Sequence, residues 1–198
     1  MREELTHCSA CLKKDISFYQ SVKDFSTSKE VFDIWSCGHC SHLFTNPRVK
    51  EDLVGPYYDN PDYISHTDDD TSVFAKVYQF LREINLNWKH GHVQKYAEGK
   101  SLLDYGCGTG GFLEFTSTKA YASFGVEKNT HARDQAIRKG LTVVSSWEQL
   151  PQEKFNLISL WHVLEHVSDL DQCIQEIQKR LNTNDILLIA VPNLNAFD

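Results

Sequence analysis

The stretch "LLDYGCGTGGFL", Leu102 to Leu113, decides how this chain is read. Two leucines run into Asp104, glycines follow at Gly106, Gly108, Gly110 and Gly111, and apolar residues resume at Phe112. The short apolar run "SLLDY" predicts a buried strand, the glycines a tight turn, and "GGFLEFTSTK" a helix directly beyond it. Glycines in such a turn carry no Cβ penalty and leave bare backbone against which a ligand can lie. Gly106, Gly108 and Gly111 also satisfy the dinucleotide fingerprint GxGxxG, so spacing alone leaves the ligand open.

Working outward, the same alternation continues. "SFGVE" reads as a strand and "THARDQAIRKG" as a helix stopped by Gly140, and "LTVV", "FNLISL" and "DILLIAV" supply three more strands. Between the last two, Leu170, Cys173, Ile174, Ile177 and Leu181 mark one helical face. Strands alternating with helices of this length imply βαβ units, hence a Rossmann-like, doubly wound, mostly parallel sheet with ligands at the carboxyl ends of its strands.

Asp104 narrows the choice of ligand. A carboxylate at the tip of the first strand would face the pyrophosphate of a nicotinamide or flavin dinucleotide, where unit charges about 4 Å apart repel by about 4 kcal/mol at an effective dielectric of 20. S-adenosylmethionine has no phosphate and carries an ammonium and a sulfonium, so the same carboxylate attracts it. Glu127, about 20 residues on at the end of the second strand, is placed to accept hydrogen bonds from ribose hydroxyls in either cofactor class.

Upstream, six cysteines are unevenly spread: Cys8 and Cys11 form one CxxC, Cys37 and Cys40 a second, and Cys107 and Cys173 stand alone. Two CxxC pairs flanking a short strand-rich segment, with "VFDIWSC" and "HLFT" around the second, predict four thiolates on one structural zinc in a ribbon-like module. His7, His39 and His42 lie close by, and with four cysteines available they are expected to be bystanders. The segment "NPRVKEDLVGPYYDNPDYISHTDDD" reads as a linker with turns, ending in the solvated run Asp68 to Asp70. From Thr71, Val73, Phe74, Val77, Phe80, Leu81 and Ile84 recur at helical spacing and predict a long amphipathic helix leading towards Trp88. The expected organisation is a zinc-ribbon-like module over 1–50, a linker and helix capping the cofactor site over 51–100, and the cofactor-binding core over 101–198.

As a set, "LLDYGCGTGGFL", "GVEKN", "FNLISLWHVLEHV" and "LLIAVPN", in that order, resemble class I S-adenosylmethionine-dependent methyltransferases over nearly all of Ser101 to Asn193. The N-terminal half is similar to that of methyltransferases with a cysteine-rich module, where a segment like "CGHCSHLFTNPR" precedes one like "YYDNPDYISH". The resemblance implies that the loop of Gly106, Cys107, Gly108 and Gly110 lies beneath the methionine part of the cofactor. Glu127, with Lys128 beside it, would hold the ribose, and Trp161 would stand at the mouth of the fourth strand. It also implies a lid near the cofactor mouth from Tyr58, Tyr63 and His66, although tyrosines packing in a linker read equally well. Where the family often has an acidic residue for the adenine amino group this chain has Ser146, so adenine recognition would use backbone or the Trp147 ring. The turn "NTND" replaces a glycine-rich one. The family's two further C-terminal strands have no counterpart before Asp198, so the chain is expected to be truncated or to expose its fifth strand as an edge open to self-association. Cys107 is expected to fill the loop as an inert thiol.

The stretch "WHVLEHV" places His162, Glu165 and His166 in the order HxxEH, the reversed zinc-peptidase signature. Peptidase chemistry needs these residues within a helix, with a third ligand and an open site for water, whereas here they follow a strand. Two readings remain. In one, Glu165 and His166 make structural hydrogen bonds around a short turn. In the other, His162 acts as general base towards the methyl acceptor, or the three residues hold a divalent ion to polarise a hydroxyl.

Composition bounds the rest. The 198 residues are 41% hydrophobic and 24% charged, which suits one folded core with an appendage. The net charge of −7, with Lys and Arg scattered, argues against nucleic acid as a partner. With no charged-then-apolar leader and no apolar run near the roughly 18 residues that span a bilayer, a cytoplasmic protein without membrane contact is expected. The function that follows is methyl transfer by in-line displacement, to a sugar or small metabolite more readily than to RNA. The alternatives are a non-catalytic cofactor-binding module and an NAD-dependent oxidoreductase.

Overall fold

The computed structural model describes residues 2–25, 27–58 and 73–193. Tyr63, His66 and Asp68 to Asp70 lie outside the described residues, as do the side chains of Tyr58, Val73, Phe74 and Val77. The chain forms two compact units, Met1–Ala75 with Ser168–Asp171, and Lys76–Val167 with Gln172–Asp198.

In the first unit, β2 (Ile16–Lys23), β3 (Val31–Cys37) and β4 (Leu43–Thr45) make a three-stranded antiparallel sheet in the order β2-β3-β4. The short β1 (Arg2–Glu3) pairs antiparallel with β5 (Arg48–Val49), and a four-residue helix α1 (Gly55–Tyr58) follows. The apolar centre is small. Cys8, Cys37 and Phe44 are buried, with Leu5, Cys11, Ile16 and Trp35 packed against them. Seven of the eight residues of β2 are exposed, so among the described residues no second layer covers this strand.

The second unit begins with the long helix α2 (Val73–Tyr96) and continues with β6 (Ser101–Tyr105), α3 (Gly111–Ser117), β7 (Ala122–Val126), α4 (Thr130–Arg138) and β8 (Thr142–Val144). After β9 (Leu157–Trp161) come α5 (Leu170–Lys179) and β10 (Ile186–Ala190). The sheet order is β10-β9-β6-β7-β8 and every pairing is parallel. The chain therefore moves outward on one side of β6, then crosses back to build the other, and β6 and β9 meet at the switch point where open α/β sheets bind ligands. The central strands read as apolar runs because helices cover both faces: Leu102, Leu103, Leu157, Ile158 and Leu160 are at most 1% exposed.

The expected strands and helices are present at their expected places, and β10 is the outermost of the described strands of this sheet. The expected long helix is present, and its apolar residues Phe80, Leu81 and Ile84 are 63, 57 and 50% exposed. The helix is anchored instead by its C-terminal half, through Leu86, His90 and Val93, which pack with the core. Helical periodicity fixes which residues share a face, but burial is set by which face meets the sheet.

Candidate active site and metal centre

The register of the sheet builds the centre of the site. Asp104 on β6 stands opposite Ser159 on β9, and the Ser159 hydroxyl donates to its Oδ1 at 2.6 Å. Asp104 is 4% exposed. Burial raises its pKa to about 6, opposed by the Ser159 hydrogen bond and the positive charge of Lys89 and reinforced by Glu127. Ser159 was legible as the lone polar residue in the apolar run "LISL", though its partner was not.

Beyond β6 the loop turns sharply. Gly106 has φ +73°, and a Cβ there would overlap the Val163 side chain, so only glycine suits the position. Gly108, φ +55°, has nothing within 4 Å of where its Cβ would sit, leaving open backbone at the surface of the loop. Cys107 points inward, its Sγ in the space left by Gly125, and burial pushes its thiol well above the ordinary range, with Asp104 and Glu127 adding to the effect. Its side chain packs in the core and faces away from the surface of the loop. Lys139 Nζ donates to the Thr109 carbonyl at 3.0 Å, tying the loop to α4. Gly110 closes the loop as the residue capping α3.

Glu127, just past β7, accepts from the Gly108 amide at Oε2 and the Asn129 amide at Oε1, both at 2.8 Å. Arg133 donates to the carbonyls of Glu127 (2.8 Å) and Lys128 (3.1 Å), so the turn carrying the carboxylate is held from below. Glu127 thus braces the glycine loop while keeping lone pairs for a ligand. After β8, Ser146 opens a short 3-10 turn over Trp147–Gln149, and its hydroxyl bonds the Glu148 carboxylate. Trp147 does not offer a free face: it is 7% exposed, stacked on Tyr105 at 4.4 Å and 13°, with the Arg180 guanidinium over it at 5.4 Å. Its ring is packed within the core, whereas Ser146 is half-buried beside it.

One group not anticipated from sequence, Lys89, stands beside Trp161. Lys89, from α2, holds its ammonium 4.7 Å above the Trp161 ring and 5.8 Å from that of Phe112, and these rings meet edge-to-face at 5.8 Å and 78°. Desolvation lowers its pKa, and Asp104 opposes that shift. The Trp161 indole N–H is buried with no hydrogen-bond partner among the described residues. No spacing rule ties Lys89 to a loop nearly twenty residues away; only docking of α2 brings them together.

The HxxEH stretch is not a helical metal site. His162 leaves β9 with φ +56°, its amide donating to the Ala190 carbonyl at 2.9 Å, and its side chain is 63% exposed. Its Nδ1 lies 3.7 Å from Glu165 Oε1, and Leu164–His166 form a single 3-10 turn. A non-glycine residue held in the left-handed region costs of order 1 to 3 kcal/mol, a kind of strain that clusters at functional sites. Among the described residues, the one convergence of three or more metal-ligating side chains is that of the four cysteines.

Those cysteines lie on two equivalent turns. The Cys8 amide donates to the Lys13 carbonyl (2.8 Å) and the Leu12 amide to the Cys8 carbonyl (3.0 Å); likewise Cys37 to His42 (2.9 Å) and Ser41 to Cys37 (2.9 Å). Leu12 and Ser41, at the same place in each turn, both have φ 60°. The four sulfurs lie within 4.8 Å of one another, with Cys8 Sγ to Cys40 Sγ at 3.7 Å and Cys11 Sγ to Cys37 Sγ at 3.6 Å. A tetrahedral zinc with arms of about 2.3 Å sets sulfur-sulfur edges near 3.8 Å, so the donor set fits. His42 stacks on Phe44 and contacts Ser9 at 3.3 Å, and His7 contacts Thr6 at 3.4 Å.

Residues 77–197 match the family model described as a methyltransferase domain, over more than half of the chain and including Lys89, Asp104, the glycine loop, Glu127 and His162 but not the four cysteines. The chain belongs to the methyltransferase-domain family. The domain is 33% identical over 110 residues to a ubiquinone biosynthesis O-methyltransferase of Actinobacillus pleuropneumoniae, covering 48% of this chain and 47% of that protein. It is 35% identical over 101 residues to a protein of the same name from Pelagibacter ubique, covering 46% and 42%. The chain thus spans less than half the length of these curated relatives. The plantazolicin methyltransferase BpumL, solved with SAH, superimposes with a TM-score of 0.50 at 15% identity, covering 67% of this chain and 54% of that one, a likeness of fold alone. Among the described residues no helix of this methyltransferase domain is long and apolar enough to cross a membrane.

Proposed function

We propose that this chain is an S-adenosylmethionine-dependent methyltransferase acting on an oxygen of a small acceptor, a sugar or small metabolite and not RNA. The observation that carries the reading is the buried Asp104 carboxylate facing Lys89 beside the open backbone of Gly108. When bound, the cofactor supplies an electrophilic methyl group. Asp104 would take its ammonium, Lys89 its carboxylate and Glu127 its ribose hydroxyls, with Gly106 to Gly110 as the floor, Lys128 and Ser146 on the adenosine side and Trp161 at the mouth. The O-methyltransferase names of two relatives support an oxygen acceptor. A hydroxyl is a weak nucleophile until its proton is removed, and exposed His162 with Glu165 and His166 behind it would supply the base. The four cysteines would hold a structural zinc. Calorimetry with S-adenosylmethionine, SAH and NADH is the first test: tight binding of NADH alone would overturn the reading. Single-turnover methyl release with a panel of sugars, phenols and RNA then separates catalyst from cofactor-binding module.

Two expected results arise directly. An ammonium binds the ionised form of Asp104, so S-adenosylmethionine affinity should be full above pH 6 and fall as pH drops through about 6. The stability of the free protein has the opposite sign. Because the folded pKa is raised, Asp104 contributes stability that is full below its ordinary pKa of 3.8 and lost as pH rises through about 6. Asp104→Asn should weaken binding by roughly ten- to a hundredfold, the worth of a charge-assisted hydrogen bond, and flatten the pH profile. Calorimetry from pH 5 to 8 checks both.

Lys89→Met should weaken S-adenosylmethionine and SAH alike, each by roughly tenfold, because both carry the same carboxylate. A selective effect on the sulfonium compound would mean that Lys89 senses the methyl end instead. Parallel titrations of the two ligands distinguish these outcomes.

A further inference from the structure

We infer that Ser159 is a positioning residue for the cofactor: its hydroxyl holds the Asp104 carboxylate for the ammonium, a role that rests on the S-adenosylmethionine reading above. Ser159 lies in β9 between Ile158 and Leu160, and all three are 0% exposed. A hydroxyl in such a place has lost its water and needs a partner within the protein. The parallel register supplies one. Of the four residue pairs that join β6 to β9, only Asp104 and Ser159 have two polar side chains, and the Ser159 hydroxyl donates to Asp104 Oδ1 at 2.6 Å. That is the length of a hydroxyl bonded to an ionised carboxylate.

The hydrogen bond does two things. With Oδ1 engaged, the carboxylate is fixed in its orientation and keeps Oδ2 for a ligand. The bond also favours the charged form, the one an ammonium pairs with. Burial, the largest influence, and the Glu127 carboxylate past β7 favour neutral Asp104, whereas Ser159 and, more weakly, Lys89 from α2 favour the charged form. Cys107 in the glycine loop adds no charge, because burial pushes its thiol well up and both carboxylates reinforce the effect. With the cofactor bound, Lys89 would pair with the cofactor's own carboxylate. Ser159 would then be the group that keeps Asp104 ionised, and being fully buried it acts through Asp104 and not on the ligand.

Ser159→Ala deletes the donor without adding an atom to the core. The Asp104 pKa, raised to about 6 in the native protein, should rise further by about one pH unit or more, the tenfold change expected for loss of a hydrogen bond to a charged group. The charged share of Asp104 at pH 7 then falls from about nine-tenths to about half, and at pH 6 from about half to about one-tenth. Cofactor affinity should accordingly fall by roughly fivefold or more at pH 6 and by less at about pH 8, where Asp104 is charged in either protein. Ser159→Thr returns a hydroxyl on a side chain suited to strands and should restore the native pKa.

Two measurements test the role. Carboxyl carbon NMR of the cofactor-free protein, with the Asp104 signal assigned through Asp104→Asn, reads the pKa in the native, Ser159→Ala and Ser159→Thr proteins. Calorimetry with S-adenosylmethionine over the same pH range reads affinity. The expected result is a raised Asp104 pKa in Ser159→Ala, an affinity profile that follows it, and native behaviour in Ser159→Thr. Ser159→Ala carries the test alone if the threonine variant fails to fold. An unshifted pKa in Ser159→Ala overturns the inference. So does native affinity at pH 6 in Ser159→Ala when Asp104→Asn binds weakly. Native affinity in Asp104→Asn itself removes the cofactor reading, and this role with it.

Discussion

Replacing Cys8 by serine, or stripping metal with a strong chelator, is expected to unfold the N-terminal unit while the parallel sheet from Ser101 onward survives. Among its described residues the small unit has little else to hold it. Its buried core is Cys8, Cys37 and Phe44, and two of those three residues are the proposed ligands. Its longest strand, β2, is exposed along nearly all its length. A core of that size cannot offset the roughly 1 to 2 kcal/mol of backbone entropy lost per ordered residue. Thiolate zinc sites return about 10–16 kcal/mol of apparent binding free energy at pH 7, enough to decide whether such a module folds. Hydrogen exchange should therefore show protection of β3 and β4 collapsing on chelation, with the amides of β6 and β9 unchanged. Elemental analysis should find one zinc per chain. Metal-free protein with undiminished protection of β3 would remove the zinc from the account.

Substituting His162 is expected to reduce turnover by about a hundredfold or more while leaving cofactor affinity nearly intact, the signature of a group needed only when the acceptor reacts. The backbone dictates how the test is built. His162 sits at φ +56°, where asparagine is tolerated better than alanine. His162→Asn keeps that conformation and a polar side chain but cannot accept a proton, so it isolates the proposed chemistry from strain. Glu165, 3.7 Å from His162 Nδ1, is a positioning residue in this scheme. Glu165→Gln should lower turnover less than His162→Asn and shift the acidic limb of the pH profile. Single-turnover rates with the acceptor found in the panel, measured with and without added magnesium, provide the check. Wild-type turnover in His162→Asn would return the HxxEH residues to a scaffold role.

Much of this was open to reading before the structure. The glycine loop, the carboxylates Asp104 and Glu127 at strand tips and the two CxxC pairs are local in sequence, and their geometry is dictated by neighbours within a few residues. Strands and helices of the second unit were legible for the same reason: apolar runs and helical periods are written into consecutive residues. Equivalent hydrogen bonds at Cys8 and Cys37 follow from spacing too, although the left-handed Leu12 and Ser41 gave no glycine or asparagine to betray them.

What depended on packing could not be read this way. Trp147 looked available to a ligand, yet Tyr105 and Arg180 cover its ring, and both come from distant parts of the chain. The spacing of Phe80, Leu81 and Ile84 predicted an amphipathic helix but not its docking, which runs through Leu86, His90 and Val93 and leaves those three residues exposed. Lys89 entered the site by the same docking. By itself the sequence determined the periodicities, the turn chemistry and the identity of the charged groups, because these are properties of neighbouring residues. Only the tertiary structure decided which face of each element is buried and which charges meet, because those depend on which distant surface each element is packed against.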